Sequence, residues 1–345
     1  MVETIERPST TDERPAENAT VTFVAAINET LREAMREDDR VVVLGEDVGV
    51  RGGVFRATAG LLEEFGEDRV IDTPLAEAGI IGTAIGMAVT GLRPVAEIQF
   101  LDFIHAAMDQ IMNEAAKFRY RSNNDFAVPM TIRVPFGGGV HGALYHSQSI
   151  EALFVHSPGL KVVAPATPAD AAGLLRSAIA DDDPVLFLEH KKMYRAVQGP
   201  PLAAGETIPL GSARVVREGA DVSVITYANM VHEAEKAIEA VEEGTGASVE
   251  LIDLRSLKPL DEETVLNSVK KTGKVLIVTE ANGPCSVASE VAALIGEQAF
   301  AWLDGPVTRL AAPDVPALPF SPPLEKAFLI DAGKIETALT GLIRF

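Results

Sequence analysis

The sequence is poor in cysteine and has no long apolar segment. Its single cysteine, Cys285, excludes a disulfide within the chain and is typical of proteins from a reducing compartment. Charged or polar residues interrupt every hydrophobic stretch before it reaches the roughly 18 residues that a membrane-spanning helix needs. These two absences predict a cytoplasmic protein with no membrane partner.

Positive charge is also scarce. The chain has 30 Lys and Arg residues against 50 Asp and Glu residues, which gives a formal net charge of -20. Because nucleic-acid binding depends on a basic surface, this balance argues against a nucleic-acid partner.

Several catalytic signatures are missing as well. No HExxH or CxxC spacing supports a zinc site, and no GxSxG elbow supports a serine nucleophile. Zinc-dependent and serine-dependent hydrolysis are therefore poor hypotheses for this chain.

What the sequence does contain is an alternation of short β-branched runs with longer helical runs. This pattern predicts an α/β architecture with parallel sheets. The length of 345 residues suits about two domains. We expect a flexible N-terminal tail at residues 1–20, a first domain at 21–197, a Pro/Gly/Ala-rich linker at 198–211 and a second domain at 212–345.

The individual elements are predicted from hydrophobic period and from turn and capping residues. Strands are expected at residues 41–44, 69–72, 95–99, 131–134, 161–164, 185–188, 221–227, 248–253 and 274–279. Helices are expected at residues 24–36, 78–89, 105–120, 169–180, 231–242, 261–270 and 286–298.

Polar and aromatic side chains follow the first three predicted strands. Glu46 follows the first strand, Glu77 the second, and Gln99 and Phe103 stand at or just beyond the end of the third. Ligands of open α/β sheets bind beyond the carboxyl ends of the strands. We therefore expect these four residues to line a binding site.

Glu77 allows two interpretations from spacing alone. It stands at the start of a Gly-rich helix, where the helix dipole favours a carboxylate without any further role. A desolvated carboxylate at the same place could instead share a proton with a ligand nitrogen. The residues themselves leave both interpretations open.

A glycine run at residues 137–139 opens a polar loop that contains His141 and His146. Glycines allow backbone to approach a ligand closely, and histidines transfer protons or orient substrates near neutral pH. No Lys-Ser/Thr pair follows the run, so it is not a P-loop. Seen alone, the two histidines could equally have no catalytic role.

Several longer segments together resemble one known family. They are GEDVG (45–49), GGVFRAT (52–58), DTPLAEAGIIGTAIGMA (72–88), GLRPVAEIQF (91–100), DQIMNEAAKFRYRS (109–122), GGGVHGALYHSQS (137–149), PGLKVVAP (158–165), LIDLRSLKPLDEETV (251–265) and SPPLEKAFL (321–329). In this order they resemble the beta subunit of the thiamine-diphosphate-dependent decarboxylase of 2-oxoacid dehydrogenase complexes, of the branched-chain or pyruvate type. The resemblance implies a pyrimidine-type thiamine diphosphate domain followed by a transketolase C-terminal-like domain.

The resemblance also implies roles for the residues at the strand ends. Glu77 matches the family's glutamate that hydrogen-bonds the cofactor's aminopyrimidine ring and thereby activates it. Phe103 matches the aromatic residue that packs on that ring, and Glu46 and Gln99 lie near the cofactor. His146 matches a histidine at the mouth of the site that orients the oxoacid or assists acyl transfer to a lipoyl group; His141 is the lesser candidate.

The family's remaining cofactor and partner requirements follow from the same resemblance. The GDG segment with which thiamine enzymes hold magnesium and diphosphate occurs nowhere in the sequence. A separate alpha subunit is therefore expected to supply it, in an assembly of two alpha and two beta chains that serves a lipoyl acyltransferase core. The family also implies a potassium site, formed here by Met130, Thr131, Ala178, Ile179, Asp181 and Asp183.

Two other functions fit much of the same sequence. One is the beta subunit of an acetoin dehydrogenase, which has the same architecture. The other is a non-catalytic subunit that only docks the acyltransferase, although docking alone would not require Glu77, Phe103 and His146. Which 2-oxoacid is the substrate stays open, with the segments at 97–100 and 141–149 favouring the branched-chain type.

Overall fold

The computed structural model describes residues 20–316 and 318–345. The predicted tail at residues 1–20 lies outside this part of the chain, apart from Thr20. The described residues form two main β-sheets and a two-stranded ribbon, and helices cover both faces of each main sheet. The α/β prediction is therefore confirmed.

The first main sheet has seven strands, and all are parallel except one edge strand. In spatial order they are β12 (Ser256–Lys258), β6 (Lys161–Val163), β7 (Val185–His190), β5 (Thr131–Phe136), β4 (Arg93–Glu97), β2 (Val41–Gly45) and β3 (Val70–Asp72). The antiparallel edge strand is β12, which comes from the second half of the chain.

Helices cover both faces of this sheet because its strands are apolar on both sides. Along β7, Val185 and Phe187 face one apolar cluster, while Leu186 and Leu188 face the other, as the two-residue period of a strand requires. The helices of this half are α1 (Phe23–Glu37), α2 (Leu61–Phe65), α3 (Glu77–Val89), α4 (Phe118–Arg121), α5 (Glu151–Val155), α6 (Pro168–Ala180) and α7 (Met193–Ala196). Helices α1, α6 and α7 pack on one face and α3 on the other.

The first helix shows how local sequence sets an element. The Thr22 side chain accepts a hydrogen bond from Ala25 N and caps the start of α1. Its buried residues Phe23, Ile27 and Leu31 recur every four positions, so they form one apolar stripe that packs on the sheet.

One predicted helix, at residues 105–120, is wrong in type. The chain there forms a 3-10 helix (Leu101–Ala107), a π turn (Gln110–Glu114), a second 3-10 turn (Ala115–Lys117) and then α4. In the first 3-10 helix the buried residues Leu101, Ile104 and Ala107 recur every three positions, which matches the period of a 3-10 helix rather than that of an α-helix.

The second main sheet has five strands, in the order β14 (Thr308–Ala312), β13 (Val275–Asn282), β10 (Val222–Thr226), β11 (Val249–Asp253) and β9 (Arg214–Arg217). Only β9 is antiparallel. The helices of this half are α8 (Asn229–Thr245), α9 (Glu262–Thr272), α10 (Val287–Gln298), α11 (Pro322–Phe328) and α12 (Ala332–Ile343). None of the helices in the described part of the chain has the length and apolarity that crossing a bilayer requires.

The two halves of the chain share one apolar core. Its cluster contains Leu186 and Phe154 from the first half and Ile225, Leu254 and Val291 from the second. Such a continuous buried contact favours a fixed arrangement of the two halves.

Part of the predicted linker is ordered as a strand. Strand β8 (Gln198–Gly199) pairs with β1 (Val21–Thr22) in the two-stranded ribbon. Farther on, Ile208 N donates a hydrogen bond to Gly173 O. The segment therefore packs along the first half of the chain before the second sheet begins.

Candidate active site

The parallel neighbours β4, β2 and β3 bring the predicted residues to one edge of the first sheet. Glu46 follows β2 directly, Glu77 begins α3 after β3, and Gln99 lies two residues beyond β4. Gln99 Nε2 donates a hydrogen bond to Glu46 O at 3.4 Å. Burial raises the pKa of Glu46, and the nearby charges of Asp47 and Glu77 raise it further. The two glutamates are thus electrostatic neighbours.

Glu77 is partly buried at the first position of α3. Among the described residues its carboxylate has no side-chain or backbone hydrogen-bond donor. Thr73 Oγ1, in the turn between β3 and α3, is buried and also has no hydrogen-bond partner there. Buried polar groups are rarely left without partners. A polar ligand at this edge would give Thr73 Oγ1 a partner and could also bind the partly exposed Glu77 carboxylate; a heterocycle with ring nitrogens and an amino group fits both.

Three aromatic rings contact one another at the same edge of the sheet, after the ends of β4 and β5. The ring centroid of His146 lies 4.6 Å from that of Phe100 and 5.3 Å from that of Phe103, both nearly edge to face. Phe100 and Phe103 are 5.7 Å apart. The structure therefore brings His146 and Phe103 together, and Phe100 joins them.

The aromatic contacts continue inward to a buried ion-pair network. Phe55 lies 5.6 Å from Phe100 and 4.9 Å from Tyr194. The Tyr194 hydroxyl donates to Glu189 at 2.5 Å. Arg133 donates two hydrogen bonds to Glu189 and one to Glu97, all at 2.7 Å.

This network was not predicted from the sequence. Glu97, Arg133 and Glu189 lie on β4, β5 and β7 and are almost completely buried. Removing one partner of such a network would leave an uncompensated buried charge, at a cost of about 3–5 kcal/mol. The sequence feature that could have predicted it is the presence of charged residues in otherwise apolar strands. The network supports the strand ends that carry the site.

Lys191 is a second residue that the sequence did not single out. Burial lowers its pKa to about 8, although Asp102 and Glu280 act in the opposite direction. Its Nζ lies 5.7 Å from the centroid of the Phe100 ring, within reach of a cation–π interaction, and has no hydrogen-bond partner in the described part of the chain. Lys191 is therefore a buried cation next to the Phe100 ring of the aromatic cluster.

The structure separates the two histidines of the glycine-rich loop. His146 lies in the aromatic cluster, whereas His141 is half-exposed and its Nδ1 is 2.5 Å from Glu325 Oε2 on α11. His141 therefore contacts the second half of the chain and is not among the strand-end residues.

The predicted potassium residues lie at the opposite edge of the first sheet. Met130 and Thr131 lie at the start of β5, and Ala178, Ile179, Asp181 and Asp183 lie at the end of α6 and the turn before β7.

Cationic side chains already contact several oxygens of this group. The Arg93 guanidinium donates to the carbonyl oxygens of Ile179 and Asp181 at 3.0 and 2.9 Å. Lys161 Nζ binds the Asp181 carboxylate at 2.6 and 2.8 Å. Each carbonyl oxygen retains a second lone pair, but a further cation bound there would be repelled by Arg93 and Lys161.

Comparisons with known proteins agree with this arrangement. The sequence matches the family models "Transketolase, pyrimidine binding domain" over residues 19–197 and "Transketolase, C-terminal domain" over residues 211–335. The solved structure "Split gene transketolase, inactive beta4 tetramer" superposes with a TM-score of 0.75 at 24% identity, covering 94% of this chain and 98% of that one. That likeness concerns the fold.

Two curated proteins of Bacillus subtilis (strain 168) are much more similar in sequence. The 2-oxoisovalerate dehydrogenase subunit beta is 54% identical over 325 residues, which covers 94% of this chain and 99% of that protein. The pyruvate dehydrogenase E1 component subunit beta is 51% identical over 303 residues, covering 88% and 93% respectively.

Proposed function

This chain belongs to the family of beta subunits of 2-oxoacid dehydrogenases, and from that premise we propose that Glu77 and His146 are its catalytic residues. Its cofactor is thiamine diphosphate, which supplies a nucleophilic carbon and a ring that accepts electrons during decarboxylation. The observation that carries the proposal is the convergence of Glu77, Phe103 and His146 at one sheet edge from three separate segments.

Glu77 acts in this proposal by holding a proton against a ring nitrogen of the cofactor's aminopyrimidine. Its carboxylate is partly buried and has no protein donor among the described residues, so it is available for that contact. Glu46 is close enough for the two charges to interact, and its raised pKa suits a group that exchanges protons near the cofactor.

Phe103 and Gln99 complete the proposed pyrimidine site. The Phe103 ring offers an aromatic face beside His146, and a flat heterocycle packs well on such a face. Gln99 supplies an amide that can donate and accept hydrogen bonds. These side chains fix the orientation of the ring, which Glu77 needs in order to protonate one particular nitrogen.

His146 is proposed to orient the oxoacid carboxylate or to assist acyl transfer. We expect His146→Ala to lower turnover of the oxoacid about 100-fold, within the usual range for a lost acid–base group, while cofactor affinity changes little. Steady-state kinetics and calorimetric titration of the enzyme reconstituted with its alpha subunit measure the two effects. Equal losses of turnover and cofactor affinity would place His146 in the cofactor site instead.

The alpha subunit is the proposed source of the diphosphate and magnesium contacts. Around the strand-end site this chain exposes large apolar side chains: Val50 is 79%, Leu75 69% and Tyr145 64% exposed. Contiguous exposed apolar patches mark protein contact surfaces, and these three side chains lie on the segments that follow β2, β3 and β5. They support an active site shared with the alpha subunit, in an assembly of two alpha and two beta chains that delivers acyl groups to a lipoyl acyltransferase core.

A potassium site and a cytoplasmic location are two further parts of the proposal. A potassium ion would use free lone pairs of the carbonyls near Ile179 and Asp181, a hard-oxygen environment, in competition with Arg93 and Lys161, which already bind oxygens of this group. A cytoplasmic location is supported by the free, exposed Cys285, since such thiols persist in reducing compartments.

The substrate is proposed to be a branched-chain 2-oxoacid, with pyruvate as the second candidate. The test is a steady-state assay of the reconstituted alpha–beta enzyme with 2-oxoisovalerate, pyruvate, 2-oxoglutarate and acetoin. We expect 2-oxoisovalerate to have the highest kcat/KM. A higher kcat/KM for acetoin than for any of the three oxoacids would contradict the proposed substrate class.

A further inference from the structure

The loop that carries His146, residues 137–149, is closed on itself. We call it the His146 loop. At its base Gly137 N donates a hydrogen bond to Gln148 O at 3.2 Å. In its middle Gly142 packs directly against His146: a Cβ at position 142 would lie 2.7 Å from His146 O. The first half of the loop is therefore in direct contact with His146.

One buried carboxylate from the same half of the chain holds the far end of the loop. Asp102 Oδ1 accepts hydrogen bonds from Ser147 N and Gln148 N, both at 3.2 Å. These contacts fix the residues that follow His146. They leave the beginning of the loop to be held by something else.

The beginning of the loop is held by two carboxylates from the second half of the chain. Glu325 Oε1 accepts hydrogen bonds from Gly139 N at 3.1 Å and His141 N at 3.2 Å, and its Oε2 contacts His141 Nδ1 at 2.5 Å. Glu280 Oε1 accepts from Gly138 N at 2.6 Å. The Glu325 side chain is only 3% exposed, so water is a poor substitute for these contacts.

The backbone conformation of the loop depends on such partners. Gly137, Gly139 and His141 have φ values of 81°, 82° and 59°. The left-handed conformation is costly for His141, which has a Cβ. In return, alternation of this kind turns successive N–H groups toward an anion. Here the anions are carboxylates of the chain itself, so the loop is not a free phosphate site despite its glycine run.

Glu280 is held in its charged form. Burial alone would raise the pKa of Glu280. The nearby His190, whose Nε2 lies 3.0 Å from Glu280 Oε2, and the hydrogen bond from Gly138 N together lower that pKa below its usual value. A charged acceptor makes the hydrogen bond from Gly138 stronger than a neutral one would.

We infer that Glu325, with Glu280 as a second anchor, is a positioning residue for His146. This inference rests on the proposed role of His146. The second half of the chain reaches across to the first half and fixes the loop from which His146 meets the substrate. In the described part of the chain neither glutamate forms a hydrogen bond or ion pair with the strand ends that carry Glu77, so their effect concerns oxoacid binding and leaves cofactor activation intact.

The test compares Glu325→Ala and Glu325→Gln with Glu336→Ala, an exposed glutamate on the neighbouring helix α12. Each variant is reconstituted with the alpha subunit, thiamine diphosphate and magnesium. The readouts are kcat and KM for 2-oxoisovalerate, amide hydrogen exchange of residues 137–149, and deuterium exchange at the cofactor's reactive carbon.

Glu325→Ala is expected to raise KM about tenfold, since it removes charge-assisted hydrogen bonds that hold the loop. It should accelerate amide exchange in the His146 loop and leave deuterium exchange at the cofactor unchanged. Glu325→Gln keeps an acceptor for the two backbone N–H groups, so it should restore most of the wild-type KM. Glu336→Ala should behave as wild type.

Wild-type loop exchange and KM in Glu325→Ala would overturn the inference. So would equal losses of oxoacid turnover and cofactor exchange, because these would indicate general damage. If Glu325→Ala does not fold, Glu325→Asp replaces it: the shorter side chain should raise KM and accelerate amide exchange in the His146 loop, and wild-type values for both would overturn the inference. His146→Ala, measured alongside, separates the two proposals: unchanged kinetics there, with a loosened loop in Glu325→Ala, would remove the role of His146 and retain the anchor.

Discussion

Replacing Glu77 with glutamine is expected to lower oxoacid decarboxylation by the reconstituted enzyme at least 100-fold, because acid–base groups typically contribute 100-fold to 10,000-fold to the rate. Glutamine has nearly the same shape but cannot give a proton to a ring nitrogen. The side chain begins α3 and is partly buried without a protein donor among the described residues, so the substitution breaks no described contact. Assembly with the alpha subunit should therefore be retained.

Two measurements separate loss of chemistry from loss of structure in this variant. Size-exclusion chromatography with the alpha subunit reports assembly, and a single-turnover assay reports decarboxylation. Glu67→Gln, at an exposed position before β3, is the matched control and should have wild-type activity. Decarboxylation by Glu77→Gln at a near wild-type rate would show that the cofactor is activated by another group.

Much of the fold could be predicted because it depends on local pattern. Strand β2 and the first four residues of β7 are continuous apolar runs, and α1 has a cap and a four-residue apolar period. Parallel strands joined by helices then follow from the alternation itself. The predicted bounds of α1 and α6 differ from those observed by one residue at each end or less.

Features that depend on tertiary contacts escaped prediction. The segment of residues 105–120 is predicted as one helix, but the chain begins a 3-10 helix at Leu101 and its buried residues there follow a three-residue period. Strand β12 lies in the second half of the sequence, but it pairs with β6 at the edge of the first sheet. Its three residues carry no pattern that could have identified the partner.

The candidate site, like the fold, was only partly predictable from the sequence. Glu77, Phe103 and His146 lie in motifs that the sequence displays directly. The contact between Glu325 and the His146 loop joins residues 184 positions apart, and the Arg133 network joins three strands. Such pairs are set by packing, and a single sequence contains no periodic signal for them.

The second large effect expected is that this chain alone binds thiamine diphosphate poorly. Glu77, Phe103 and Gln99 can hold the pyrimidine end, but the sequence has no GDG segment for the diphosphate and magnesium. If each subunit supplies about half of the binding free energy, a complete site with a Kd of about 1 μM, or about -8 kcal/mol, becomes a half-site with a Kd of about 1 mM.

Calorimetric titration of the purified chain with thiamine diphosphate and magnesium, with and without the alpha subunit, tests the shared site most directly. We predict no saturation below about 1 mM for this chain alone and tight binding once the alpha subunit is added. Tight, saturable binding to this chain in the absence of any alpha subunit would contradict the account.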